Sequence, residues 1–309
     1  MEEIKVIVGP TCSGKTKLSL LLAEKINGEI ISADSRQLFK YLDIGTAKPE
    51  KLVLSKIKHH FIDELNPDEN FNVSIFAKSS EEIINRILDA GKIPLVVGGS
   101  GLYIKALIDG ITESADTNEE IRTELLELRK KIGDDFLYDE LKKVDEASAS
   151  KMLPQNWKRV IRALEVYKLT GKPIWQHHSE EEKENKFRYR QIGLNWDRDL
   201  LYKNIENRVD EMIRDGLIAE VKSVLEKGFS KSLNSLNTVG YKEIIQYLDE
   251  EISLEKAIEL IKRNTRRYAK RQMTWFNADK RIEWCQINFE DDLSNLAEKI
   301  AKEINERKN

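Results

Sequence analysis

An α/β fold, a parallel sheet flanked by helices with an all-α insertion, is what this 309-residue sequence predicts. Three observations carry the prediction. Short runs of Val, Ile and Leu alternate with helical patterns, as they do in a parallel sheet buried on both faces. The first run, IKVIV, leads into GPTCSGKT at residues 9–16, which has phosphate-loop spacing: a glycine, four residues, then Gly-Lys-Thr. Between residues 112 and 186 the strand pattern stops and only amphipathic helical patterns remain.

Taken in order, IKVIVG reads as the first strand, and TKLSLLLAEKI, whose leucines fall at helical spacing, as the helix after the loop. EIISAD, HHFIDEL and IPLVVGG read as further strands, the last of them leading into the helix LYIKALIDG. TNEEIRTELLELRKKI, FLYDELKKV, SASKML and KRVIRALEVYKLTG form the helical insertion, which closes with the polar loop HHSEEEKENK. YRQIGLN and RIEWCQI read as two more strands of the same sheet, with helices over residues 200–277 between them. The expected division is a P-loop NTPase-like core with C-terminal helices, residues 1–111 and 187–309, and a helical insertion domain, residues 112–186. No internal repeat is visible.

The bulk properties narrow the class. The length suffices for a sizeable core. Only Cys12 and Cys285 are present, far apart, which gives neither a disulfide framework nor zinc spacing and suits a reducing cytosol. No apolar run approaches the ~20 residues of a membrane span, and a strand at the N-terminus leaves no room for a secretory signal. A soluble cytoplasmic monomer with no membrane partner is expected. The net charge of −3 hides an asymmetry, because KRNTRRYAK at residues 262–270 is strongly basic.

In the loop, the glycines let backbone N–H groups turn inward, and the following helix adds its positive N-terminus. Gly9, Pro10, Thr11, Cys12, Ser13 and Gly14 are the expected cradle for a diphosphate. Lys15 is expected to reach the phosphate oxygens, and the Thr16 hydroxyl to hold Mg²⁺. An enzyme that splits ATP places a metal-holding carboxylate at the end of another strand. Here IPLVVGG ends in Gly98, Gly99 and Ser100 instead. The acid at a strand end near the loop in sequence is Asp34, in IISADSRQL, which reads as a metal ligand, as a base, or as an ordinary cap of a turn.

Lined up, GPTCSGKT, ISADSRQLFKYLDIGTAKP, HHFID, IPLVVGGSGLYIKAL, RVIRALEVYKLTGKP, TVGYKEIIQYL and TRRYAKRQMTWF resemble the tRNA dimethylallyltransferases, in that family's order and over nearly the whole chain. The phosphate loop alone is unspecific; ISADSRQ followed by DIGTAKP and VGYKE is highly specific. The resemblance implies transfer of the prenyl group of dimethylallyl diphosphate to N6 of the adenosine beside the anticodon of tRNA, with Mg²⁺. It implies Asp34 as general base, worth roughly 10²- to 10⁴-fold, and Ser35, Arg36 and Gln37 against the target nucleotide. Ser100 stands where the family usually has Thr, which keeps the hydroxyl and loses a methyl. Arg208 is either a diphosphate ligand or one half of a helix-surface ion pair.

The partner implied is the anticodon stem-loop of tRNA, whose target base must leave its stack at a cost of a few kcal/mol. Arg263, Arg266, Arg267, Lys270 and Arg271 share one helix face and read as a phosphate-tracking stripe. In KRVIR, Lys158, Arg159, Val160, Ile161 and Arg162 match an RNA-meeting segment, although Pro154, Gln155 and Asn156 depart from the family's Pro-Asn-Asp just before it. Arg122 matches an RNA-facing arginine, with a surface ion pair as its other reading. Asn237, Thr238, Val239, Gly240, Tyr241 and Lys242 match another RNA-facing segment, in which Tyr241 is expected to offer a stacking face. His59 and His60 are read as structural, His177 and His178 as solvated in a polar loop, Cys12 as a small filler, and the five tryptophans as core or interface. The rival readings are a prenyltransferase of free adenine nucleotides, a small-molecule kinase using the loop for ATP, and a non-catalytic RNA-binding module.

Overall fold

A computed structural model describes residues 1–110, 118–179 and 186–306. It divides into two compact units, Met1–Ile108 with Asn185–Asn309, and Asp109–Glu184. The first begins β1 (Glu3–Val8), α1 (Lys15–Ile26), β2 (Gly28–Ser32), α2 (Lys51–Lys56), β3 (His59–His60), α3 (Val73–Asp89), β4 (Ile93–Gly98) and α4 (Gly101–Asp109). The second holds α5 (Glu119–Ile132), α6 (Asp134–Val144), α7 (Glu146–Ala149), α8 (Trp157–Thr170) and α9 (Ile174–Ser179). The first then resumes with β5 (Arg188–Trp196), α10 (Arg198–Arg214), α11 (Leu217–Glu226), α12 (Tyr241–Leu248), α13 (Leu254–Ala278), β6 (Ile282–Ile287) and α14 (Glu290–Glu306).

The six strands lie in the order β3-β2-β4-β1-β5-β6, and every neighbouring pair is parallel. Successive side chains leave opposite faces, so the apolar runs serve two cores. Val6, Val8, Ile31 and Val96 pack with Phe76 and Ile84 of α3, Ile104 and Leu107 of α4, and Phe276 of α13. Ile7, Ile30, Leu95, Val97 and Leu194 pack under Leu18 and Leu22 of α1 and Leu293 and Ala297 of α14. Each of these Val, Leu, Ile and Phe side chains contributes about 1.5–3 kcal/mol by leaving water. A third cluster joins α10, α11, α12 and α13 through Val209, Leu217, Val221, Ile244 and Ile261, with Phe39 and Leu42. No helix among the described residues is long and apolar enough to cross a membrane.

HHFIDEL yields a strand of only two residues. Phe61 (φ 63°) and Asp63 (φ 55°) turn left-handed, which ends the pairing. His60 Nε2 lies 2.8 Å from Glu29 Oε2, and His59 Nδ1 lies 2.7 Å from the Ile57 carbonyl, so both histidines serve the edge strand. His177 and His178 belong to α9 rather than to a polar loop. Residues 180–185 of the expected loop lie outside the described residues.

At the carboxyl end of the sheet, the Ala33 N–H donates to the Val97 carbonyl (2.7 Å) and the Ser100 N–H to the Ala33 carbonyl (3.2 Å). A Cβ at Gly98 would lie 2.1 Å from the Ala33 oxygen. The last residue of β4 therefore has no room for any side chain, acidic or otherwise.

Two expectations fall to packing. Tyr241 offers no stacking face: it is 0% exposed, and its ring fills the space that a side chain at Gly45 would occupy. Its hydroxyl donates to Glu220 Oε1 at 2.5 Å, and burial beside that carboxylate pushes its pKa far up. The same carboxylate accepts the N–H groups of Asp43 (2.9 Å), Ile44 (2.7 Å) and Gly45 (3.0 Å). In the second unit, Val160 and Ile161 are buried with Leu125, Leu137, Leu141 and Leu164, which removes their side chains from any RNA-facing surface. Both errors have one cause. Tyr241, Ile244, Ile245 and Leu248 recur at helical spacing, as do Val160, Ile161 and Leu164, and that spacing marks a core face.

Replacing Tyr241 by Phe should destabilise the protein by about 1–3 kcal/mol, because the half-buried Glu220 would lose one of four donors. Urea unfolding measures this, and an unshifted midpoint would mean that the bond contributes nothing.

Candidate active site

Beyond β1 the chain turns sharply and enters α1 from Gly14, a left-handed residue that offers no side-chain cap, so first-turn N–H groups are left for a ligand. The loop is held from outside. The Trp196 indole N–H donates to the Ser13 carbonyl (2.9 Å), and the Thr11 N–H donates to Gln272 Oε1 (2.8 Å). Gln272 Nε2 in turn donates to the Gly99 carbonyl (2.9 Å). Cys12 sits at φ 62°, a strained setting for a residue with a side chain. The Ser13 hydroxyl is enclosed and has no hydrogen-bond partner among the described residues.

Lys15 lies across this turn, its ammonium donating to the Pro10 carbonyl at 2.6 Å. Part of its stem reaches the pocket, but the ammonium is enclosed. Burial pushes its pKa down to about 8, against the opposing pull of Asp34 and Cys12, and Arg208 lowers it further. The Thr16 side chain is exposed at the pocket edge.

The pocket beside the loop has a volume of about 300 Å³. Residues 11–16 and Arg208 line it together with the apolar Ile30, Ile62, Val97 and Pro49, among others. A second pocket of about 310 Å³ is lined by Ser35, Arg36, Asn237, Thr238, Val239, Gly240, Lys242 and Arg271, among others. The two share Thr11, Cys12, Asp34, Thr46, Ala47, Arg208 and Tyr268.

Asp34 stands where they meet. Its Oδ1 accepts the N–H groups of Arg36 (2.8 Å) and Gln37 (3.4 Å), so it does cap the turn that follows β2. Its Oδ2 has no hydrogen-bond partner among the described residues. Ser100 Oγ accepts the Ser35 N–H (3.2 Å), which leaves the hydroxyl proton available. Gln37 accepts from Ser32 Oγ (3.1 Å) and donates to the Thr46 and Ala47 carbonyls (3.2 Å each), which anchors the wall of the first pocket. Burial lowers the pKa of Arg36 and pushes that of Tyr268 up to about 12.

The loop residues Thr11 to Thr16, with Asp34, Gln37 and Arg208, thus surround the first pocket. Ser35, Arg36, Arg271 and five of the six residues of the Asn237–Lys242 segment line the second, and Tyr241 is the exception. Arg208 makes no ion pair among the described residues; its Nη1 lies 3.9 Å from Cys12 Sγ. On α13, Arg267, Lys270 and Arg271 are exposed, whereas Arg266 is held by Glu206 (2.6 Å) and Arg263 is half-buried, its Nε without a partner among the described residues. In the second unit, Lys158 and Arg159 are exposed, while Arg122 (3.9 Å) and Arg162 (2.9 Å) both approach the buried Glu165. Sequence reasoning passed over Gln272 and Tyr268, and read Trp196 only as core or interface. A signal for Gln272 was present: it is polar in a buried row with Ala269 and Phe276.

The family model described as IPP transferase matches residues 37–279. The tRNA dimethylallyltransferase of Pelotomaculum thermopropionicum is 46% identical over 304 residues, 97% of this chain and 96% of the relative. The crystal structure of the full-length tRNA isopentenylpyrophosphate transferase from Bacillus halodurans matches with a TM-score of 0.72 and 39% identity, covering 100% of this chain and 98% of that one. A eukaryotic dimethylallyltransferase acting on tRNA matches with a TM-score of 0.79 and 29% identity, over 93% of this chain and 74% of its own.

Unfolded, Lys15 titrates near 10.5; folded, near 8. Between those values the unfolded chain binds more protons, so the cost of burying this charge is full below pH 8 and fades toward pH 10.5. Lys15→Met should therefore be the more stable protein at pH 7, by up to roughly 3 kcal/mol, with the gap narrowing as pH rises. Thermal unfolding at pH 7 and pH 10 tests this; a gap independent of pH would contradict the low pKa.

Proposed function

The chain belongs to the IPP transferase family, and we propose that it transfers the dimethylallyl group of dimethylallyl diphosphate to N6 of the adenosine beside the anticodon of tRNA, releasing diphosphate. The observation that carries this is the place of Asp34, one oxygen bound to the turn and the other open between a phosphate-loop pocket and a second pocket. A kinase reading would want a carboxylate at the end of β4, where Gly98 admits none.

The donor's diphosphate occupies the loop, its allylic tail on the side of Ile30, Ile62 and Val97. The C1–O bond breaks with its electron pair going to the diphosphate, and the adenosine N6 forms the new bond to C1. The N6 proton passes to Asp34 Oδ2. Charge building on the leaving group meets the loop amides and the Lys15 ammonium, preorganised donors of the kind that contribute several kcal/mol to such steps. Lys15, enclosed at a cost, gains a partner when the anion binds. Arg208, whose Nη1 lies 3.9 Å from Cys12 Sγ, is the second cation for that anion.

Magnesium fits this site as an ion shared with the substrate. Among the described residues no cluster of three His, Cys, Asp or Glu forms a cage. Thr16 would supply one hydroxyl ligand, and diphosphate oxygens and water the rest, as Mg²⁺ tolerates. Bound there, it neutralises leaving-group charge.

The target nucleotide enters the second pocket, with Ser35, Arg36 and the backbone of residues 237–240 around it. Arg267, Lys270 and Arg271 follow the RNA backbone, and Lys158 and Arg159 do so from the insertion. Action as a cytoplasmic monomer belongs to the same proposal.

Mass analysis of unmodified tRNA incubated with the protein, Mg²⁺ and dimethylallyl diphosphate should show one prenyl addition to one adenosine. Phosphoryl transfer from ATP with no prenylation would sink the reading. Asp34→Asn, which keeps the turn's acceptor, should slow transfer by at least 10²-fold with tRNA affinity nearly unchanged; near-normal turnover would remove Asp34 as base. Arg267→Ala should reduce the slope of log affinity against log salt by about 1. An unchanged slope would return that residue to the solvated surface.

A further inference from the structure

Helix α13 turns its cationic residues outward and a row of Ala257, Ile261, Ala269, Gln272 and Phe276 inward. Gln272 is the polar member of that row and is only 7% exposed. A buried amide left unsatisfied would be costly, and this one is satisfied at both ends by backbone from two different strand ends. Its oxygen accepts the Thr11 N–H at 2.8 Å, at the start of the phosphate loop. Its nitrogen donates to the Gly99 carbonyl at 2.9 Å, just past β4. The approach depends on Gly99, because a Cβ there would lie 2.3 Å from the amide nitrogen. One residue on, the Ser100 hydroxyl accepts the Ser35 N–H, beside Asp34. A short chain of bonds thus runs from the loop through Gln272 and Ser100 to the turn that carries Asp34.

We propose that Gln272 is a positioning residue that sets the phosphate loop at a fixed distance and angle from Asp34. The inference rests on the prenyl-transfer reading above. It removes the Thr11 amide from the groups that could turn toward the diphosphate, and so dictates which amides of residues 12–16 face it. With the amide gone, the loop keeps its charge and its helix N-terminus, and donor binding survives. The allylic C1 is no longer held in line with N6. Water then competes: its oxygen bonds C1, the C1–O bond to diphosphate breaks, and one water proton leaves to solvent, giving dimethylallyl alcohol and diphosphate.

Gln272→Met, nearly isosteric and unable to make either bond, is the test, with radiolabelled dimethylallyl diphosphate and tRNA. We expect kcat for transfer to fall on the order of 10- to 100-fold, as for a displacement of about 1 Å in a reacting pair. KM for tRNA should stay within about twofold, and the share of label released as alcohol should rise. Gly99→Ala, which obstructs the same bond from the other side, should shift the product ratio in the same direction. A Met variant with wild-type kcat and product ratio overturns the proposal, as does a loss confined to the two KM values. Hydrogen exchange at the Thr11 amide, measured without substrate, should quicken in Gln272→Met; unchanged protection also overturns it. That measurement stands apart from the activity: a wild-type protein that never prenylates tRNA refutes the function proposed above, while faster exchange at Thr11 still reports the clamp.

Discussion

At the carboxyl edge of the sheet, β2 and β4 approach until the Ala33 carbonyl occupies the space of a side chain at residue 98. Much of the site follows from that approach. It leaves Gly98 bare, brings the Ser100 N–H onto Ala33 and its hydroxyl onto Ser35, and so fixes the turn that presents Asp34. Site residues supplied by the ends of parallel strands are the rule for open α/β sheets. Here β4 contributes backbone and β2 contributes the carboxylate. A strand-end acid of the kind that serves ATP-splitting relatives of the loop is excluded by packing before chemistry is considered.

Two ionic groups illustrate opposite uses of hydrogen bonding. Glu220 has its carboxylate met by three backbone N–H groups and the Tyr241 hydroxyl, and it ties loop residues 43–45 to the helical layer. Such a fully bonded carboxylate is part of the scaffold. Lys15 has a single carbonyl for its ammonium among the described residues, and burial depresses its pKa. A cation kept short of partners gains most when an anion arrives, which is how stability is traded for binding at a functional site. The left-handed Cys12 alongside it is a second local cost carried by the same turn.

The fold was legible because both its periodicities were clean. All six apolar runs became strands of one sheet, since residues such as Val6 and Ile7 are needed on opposite faces. HHFIDEL was overread: nothing in its composition announces that Phe61 turns left-handed. Around the pockets, the loop, Asp34 and Arg208 could be found from motif and resemblance. Tyr241 and Val160 could not be read from the same motifs, because a motif does not say which face of a helix its members occupy. Gln272 was missed for a different reason. Its place in an apolar helical row marks it as buried, but its partners are backbone atoms at residues 11 and 99, and a side chain's bonds to distant backbone leave no pattern in one sequence.

Sequence distance also orders events in time. Thr11 and Gln272 are separated by 261 positions, so the phosphate loop leaves the ribosome well before its clamp. Chains are made from the N-terminus at about 5–20 residues per second, which leaves the loop on the order of ten to fifty seconds without its glutamine. Throughout that interval the nascent chain has the lysine and the glycines but not the geometry. An anion cradle steadied by a helix made so much later reaches its working geometry only once that helix has been made and docked.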